Sequence, residues 1–274
     1  MNRMMLCSVC VVVLCAQAVW ADPWADTVVL YNPGDVTNYT NSPVVLGEPT
    51  RTTSDGLKGS ESVRMTVGPW QDSEILKIGN GGHLVVSFDS PVKNDPLNPF
   101  GIDLLVFTSA AFMSSDWPAN KTIDGSGGKV TVFGGALGAI SVSQDGLNWH
   151  QVTSLGPIFP MHGYLSDEAD AYATGATPTD YTRPVDPSLS LNDFAGLSLA
   201  EALSLYNGSG GGLGIDLSNL DGGTITLSSI SFVKIEGYTN SLAGFADVAA
   251  VPEPATMALV ACGLAALAVR RRSR

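Results

Sequence analysis

From Thr27 to Val248 the chain breaks into short runs of β-branched, aromatic and other apolar residues. Glycine, serine, threonine, asparagine or aspartate bounds each run. This punctuation predicts strands at Thr27–Leu30, Val44–Leu46, Ser62–Val67, His83–Phe88, Ile102–Phe107, Lys129–Phe133, Ala139–Ser143, Asn148–Val152, Thr224–Leu227, Ile230–Glu236 and Phe245–Val248. Many short strands with few helices predict a mainly β body, an antiparallel sandwich or jelly roll. One helix stands out, at Leu199–Tyr206. Ser198 and Glu201 form a capping box, Leu199, Leu203 and Tyr206 share a face, and Asn207-Gly208 stops it. The glycine-rich stretch Gly208–Gly214 reads as a linker, and Gly156–Pro187 as a long loop.

The sharpest local signal is the run from Ala139 to Val152. Asp145-Gly146 fits a two-residue hairpin turn, which would set Val142 opposite Trp149 and Ser141 opposite His150. Trp149 would then anchor the core. In a regular strand this register also places Gln151 on Trp149's face and Val152 on the other, so a bulge is expected after the tryptophan.

Both ends of the chain differ from the body. Asn2-Arg3, the apolar Met4–Ala16 and the small residues after it form a secretory signal peptide over residues 1–21, with cleavage after Ala21 or Ala18. At the other end, residues 251–274 hold Pro252-Glu253-Pro254, then an uncharged run from Ala255 to Val269, then Arg270, Arg271, Arg272 and Arg274. As a hydrophobic helix that run spans roughly 22 Å, short of the ~30 Å hydrocarbon core, and the arginines can snorkel to make up part of the deficit. The arginines belong on the cytoplasmic side, which leaves the body at 22–250 outside that membrane.

The order Pro-Glu-Pro, short apolar helix and terminal basic cluster resembles the PEP-CTERM sorting tail. The resemblance implies export, recognition by an exosortase (a membrane-embedded thiol transpeptidase that cleaves near Pro252, Glu253 and Pro254) and delivery to the cell surface or extracellular matrix of an exopolysaccharide-producing bacterium. The partners it implies are the secretion machinery, the exosortase, exopolysaccharide, and a membrane held through the C-terminal helix before processing.

Composition sharpens this picture. Cys7, Cys10, Cys15 and Cys262 all lie in the targeting segments, so the body has no disulfide, thiolate metal site or cysteine nucleophile. The whole chain carries 14 basic and 26 acidic residues. Removing Arg3, Glu253 and the four tail arginines leaves nine against twenty-five, a surface that repels nucleic acid.

The hairpin resembles the V-x-V-S-x-D-G-x-x-W element of galactose-binding-like and discoidin-like sandwiches. Gly79–Gly82, Phe88-Asp89-Ser90-Pro91-Val92 and Gly101–Phe107 resemble segments of bacterial surface proteins with this same tail, as does Asp193–Leu217. The resemblance implies one continuous domain.

No residue set is expected to be catalytic: no G-x-S-x-G or H-E-x-x-H occurs, and His83, His150 and His162 are scattered. Oxygen-rich loops make Asp186, Asp193, Asp216 and Asp221 candidates for a structural calcium, or else plain caps and turn formers. Trp70 and Trp117, in loops beside polar residues, are candidates for stacking a sugar ring, with Tyr164, Tyr172 and Tyr181 as further loop aromatics. The expected function is a non-enzymatic interaction or carbohydrate-binding protein of the cell surface. The alternative is a secreted hydrolase acting on polysaccharide.

Overall fold

The computed structural model describes residues 22–54, 60–117, 119–135, 137–165, 177–237 and 244–252. The expected signal peptide and the tail beyond Pro252 lie outside the described residues. In chain order the strands are β1 Thr27–Asn32, β2 Thr52–Ser54, β3 Ser60–Ser62, β4 Leu76–Lys77, β5 His83–Lys93, β6 Leu104–Thr108, β7 Ala111–Phe112, β8 Val132–Phe133, β9 Ile140–Ser143, β10 His150–Gln151, β11 Leu213–Ile215, β12 Ser229–Glu236 and β13 Gly244–Ala250. Helix α1 is Leu199–Tyr206.

Two antiparallel sheets face each other. One runs β1-β5-β12-β9-β10 and the other β11-β6-β13-β4. Leu84, Val86, Val142, Val233 and Ile235 from the first pack with Leu104, Val106, Leu213, Phe245 and Val248 from the second. This inter-sheet core is the antiparallel sandwich that the punctuation predicts. Strand β6 is buried at every position because its alternate residues face different layers. Leu104 and Val106 face the sandwich, whereas Leu105 and Phe107 pack with Met161, Tyr181 and Ala249. Beyond them α1 joins an aromatic cluster of Phe112, Phe159, Phe194 and Tyr206.

Helix α1 forms as expected. Ser198 N donates to Glu201 Oε2 at 2.9 Å, Glu201 N donates to Ser198 Oγ at 3.3 Å, and Asn207 ends the helix in the left-handed region. Leu199, Ala202 and Tyr206 are its buried residues.

The hairpin differs from expectation by one residue. His150 pairs with Val142 and Gln151 with Ser141. A one-residue slip turns every side chain to the other face. Val152 therefore enters the core while Trp149 stays half-buried outside it, with the Lys234 ammonium 5.1 Å from its ring centroid. No bulge is needed. The cause is the turn, in which Asp145 Oδ1 accepts from Leu147 N at 2.9 Å and Asn148 N at 2.8 Å, and Ser143 Oγ accepts from Gly146 N at 2.9 Å. These bonds build a longer loop in which Gly146, but not Asp145, takes a positive φ. Those amides hold the Asp145 carboxyl well below the usual range.

Other departures also have local causes. Val44–Leu46 is not a strand; Pro43 opens a 3₁₀ turn at Ser42–Val45. Most of Ser62–Val67 is a tight turn bridged by Arg64 and Val67. Thr224–Leu227 folds back on Leu220, through a Gly222-Gly223 pair at positive φ. Strand β5 continues past Pro91, where its ladder to β12 breaks between Ser87 and Val92. Gly208–Gly214 is packed chain rather than a linker. Gly210 lies against the Tyr181 ring, and a Cβ at Gly212 would meet Phe107 at 2.9 Å. Glycine is required there because the aromatic rings press on the backbone.

Trp149→Ala is therefore expected to cost about 1–2 kcal/mol. Ile140→Ala, on the inner face of β9, should cost about 2–5 kcal/mol. Denaturant unfolding of the two variants checks this order.

Candidate functional site

The two candidate tryptophans stand on adjoining loops. Trp117 sits on the loop between Ser114 and Ile123, which are bridged to each other. Asp116 builds this loop from within. Its Oδ1 accepts from Ser114 Oγ at 2.6 Å, Lys121 N at 2.9 Å and Thr122 N at 3.0 Å. Burial pushes its carboxyl up, but these bonds outweigh burial and leave it below its ordinary value. The loop leaves Trp117 78% exposed. Trp70, 48% exposed, follows the Arg64–Val67 turn, and its backbone N–H donates to Glu74 Oε2 at 3.0 Å. Glu74 also accepts from Gln71 N and from Thr53 Oγ1.

A buried polar cluster joins the two loops. Thr66 Oγ1 donates to Asn120 O at 2.6 Å, and Arg64 Nη1 donates to Ala119 O at 3.4 Å. The Arg64 guanidinium is fully buried and paired with Glu61 at 2.8 Å. Met65 N donates to Nδ1 of the buried His162 at 3.3 Å, which places the imidazole proton on Nε2. Of the other loop aromatics, Tyr181 is buried, its hydroxyl bonded to Thr50 O and the Arg51 guanidinium over its ring. Tyr164 is half-buried, and Tyr172 lies outside the described residues.

The four candidate calcium ligands are not brought together. Asp186 Oδ1 accepts from Ser188 N at 2.9 Å. Asp193 closes a capping box with Ser190. Asp216 Oδ1 accepts from Ser218 N at 2.7 Å. Asp221 Oδ2 pairs with His150 Nδ1 at 2.8 Å, while its Oδ1 accepts from Gln151 N at 2.7 Å. Each carboxylate serves its own turn or cap, and no group of three or more His, Cys, Asp or Glu is gathered for a metal among the described residues.

The His150–Asp221 pair was not foreseen. The register slip carries His150 to the inner face of edge strand β10, beside the turn that presents Asp221. The carboxylate fixes the imidazole with Nδ1 protonated and Nε2 as the acceptor nitrogen. The His150 bond, followed by that from Gln151, lowers the Asp221 carboxyl.

At the end of the body, Val251 N donates to Asp103 O at 2.9 Å, and Pro252 follows directly. A family model, the PEP-CTERM protein-sorting motif, matches residues 250–272, starting within the last residue of β13. The chain thus carries an exosortase sorting signal, and the signal makes it an exported protein of the cell surface or envelope, processed by exosortase. No curated protein matches the chain. Among the described residues no helix is long and apolar enough to cross a membrane, and the 255–269 run lies outside them.

Burial pulls the His162 imidazole from 6.5 down to about 4. The unfolded chain then binds the proton more tightly, so His162's contribution to stability is complete above pH 6.5 and falls away toward pH 4. The expected loss is on the order of 3 kcal/mol. Asp103 and Asp247, whose carboxyls burial raises, act in the opposite sense. Melting curves of the parent and His162→Gln between pH 7 and 4 should show a weaker acid dependence in the variant. Parallel curves would contradict the assignment.

Proposed function

We propose that the body is a non-enzymatic binding module of the cell surface that takes carbohydrate on the loops of Trp70 and Trp117. The observation that carries this reading is Trp117, a large aromatic left exposed on a loop whose shape a single carboxylate fixes. An exposed ring beside the hydrogen bonds of Asp116 stacks on a sugar face with less loss of conformational freedom on binding. Aspartate, serine and threonine in the same loops supply hydroxyl partners. The acidic surface suits a neutral glycan. Exopolysaccharide is a matching ligand class for a protein sorted to the cell surface.

Trp117→Ala should weaken binding to neutral polysaccharide about tenfold or more without shifting the melting temperature, because the side chain lies outside the core clusters. Trp70→Ala should act in the same direction. Unchanged affinity on a glycan array or in calorimetry would remove the reading.

The His150–Asp221 pair favours a second reading, a hydrolase acting on polysaccharide. A carboxylate-oriented imidazole is an arrangement that activates water as a general base. Under this reading His150→Gln abolishes hydrolysis of the polysaccharide while Trp117→Ala raises KM. Under the binding reading, neither the parent nor the variant releases product.

A further inference from the structure

We infer that the Asp95–Gly101 loop is a membrane-interface contact, pressed against zwitterionic lipid while the tail still holds the chain. The inference rests on the tail attachment expected for residues 255–269. The argument begins where the body releases the chain. Ala250 N donates to Pro23 O at 2.6 Å and Val251 N to Asp103 O at 2.9 Å, and Val251 is buried. Only Pro252, Glu253 and Pro254 separate that last hydrogen bond from Ala255, the start of the uncharged run. Three residues reach about 10 Å when extended. The run itself, roughly 22 Å as a helix, is shorter than the ~30 Å hydrocarbon core and draws the junction inward. The pole of the sandwich at Val251 is therefore held at the level of the lipid headgroups.

The same pole presents two apolar side chains. Leu97 is 75% exposed and Phe100 56% exposed, and neither belongs to a core cluster. Their loop is fixed to the residue that holds Val251. Asp103 Oδ1 accepts from Asp95 N at 2.9 Å and from Asn98 Nδ2 at 3.0 Å. Leu97 N donates to Asp95 Oδ1, and Gly101 N to Asn98 O. Phe100 sits at φ +60, a conformation a bulky residue adopts only at a cost, and in the body no core packing offsets it. Burial of the ring among lipid would supply that compensation. The loop has no basic residue; Lys93 ends β5 beside it, but Asp22, Asp95 and Asp216 at this end of the sheets outnumber it, so the net charge opposes anionic lipid and apolar insertion remains.

The test uses the full chain, made in a host without an exosortase, with each cysteine changed to serine. One spin label is placed at Leu97→Cys, Phe100→Cys or Asn80→Cys. Asn80 is an exposed control at the far end of β5, roughly 33 Å along the strand. The protein is reconstituted in phosphatidylcholine vesicles, floated, and read by power saturation with oxygen and a water-soluble nickel complex. The oxygen-to-nickel accessibility ratio should be severalfold higher at 97 and 100 than at 80. Adding Phe100→Asp should return the label at 97 to the control value. Protein that floats with labels at 97 and 100 as water-exposed as at 80 overturns the inference and leaves tail attachment standing. Protein that does not float overturns both.

Discussion

Asp103 is buried without solvent contact, and its side chain and backbone together tie three separate segments. One oxygen accepts from Asp95 N and Asn98 Nδ2 in the β5–β6 connection; the other accepts from Leu217 N, just after β11, at 3.0 Å. Its own N–H donates to Ile215 O, and its carbonyl accepts from Val251 N. Burial raises the carboxyl against the pull of those donors. A buried carboxylate is costly unless donors surround it, and here all the donors come from one pole of the sandwich. The β5–β6 connection, the chain after β11 and the chain at Val251 are all tied at that pole by this residue. A substitution that kept the volume but lost the acceptors would leave several buried N–H groups unpaired.

Much of this architecture was legible in the chain, and the failures share a cause. Long β-branched runs such as Ile230–Glu236 and the capped helix at Leu199–Tyr206 were found because their signals are local. The hairpin was found but placed one residue out of register. The Asp145-Gly146 pair names a two-residue turn, yet Ser143 and Asp145 take the local amides and open a longer one. The sequence held a warning, since Val152 could face the core only if Trp149 did not. Two-residue strands such as Leu76–Lys77 exist because β13 pairs with them, and no local pattern encodes that. Gly208–Gly214 looked slack for the same reason, because the rings of Tyr181 and Phe107 that demand glycine lie far away in sequence.

The candidate site was legible as residue types, not as an arrangement. Trp70 and Trp117 are marked by loop context, but only the fold shows that Thr66 and Arg64 tie their loops together. The four aspartates were marked by the same oxygen-rich context that marks turns and caps, and the structure assigns each to its own cap or turn. His150 and Asp221 are 71 residues apart. They met only because the register slip turned His150 toward the Asp221 turn, so no reading of the predicted register could have paired them.

The absence of cysteine from the body makes these buried polar groups more than incidental. A secreted domain of this kind could use disulfides to restrict its unfolded chain. Here buried polar groups link distant segments instead: the Asp103 carboxylate connects the 95–98 loop with Leu217, and Arg64, held by Glu61, reaches Ala119 O in the Trp117 loop. Such links differ from disulfides in one respect that matters for a sorted protein. They form only as the sheets close around them, so the pole from which the tail emerges is shaped by the same closure that buries Val251. The docking of Val251, the residue before Pro252, is then part of that same closure.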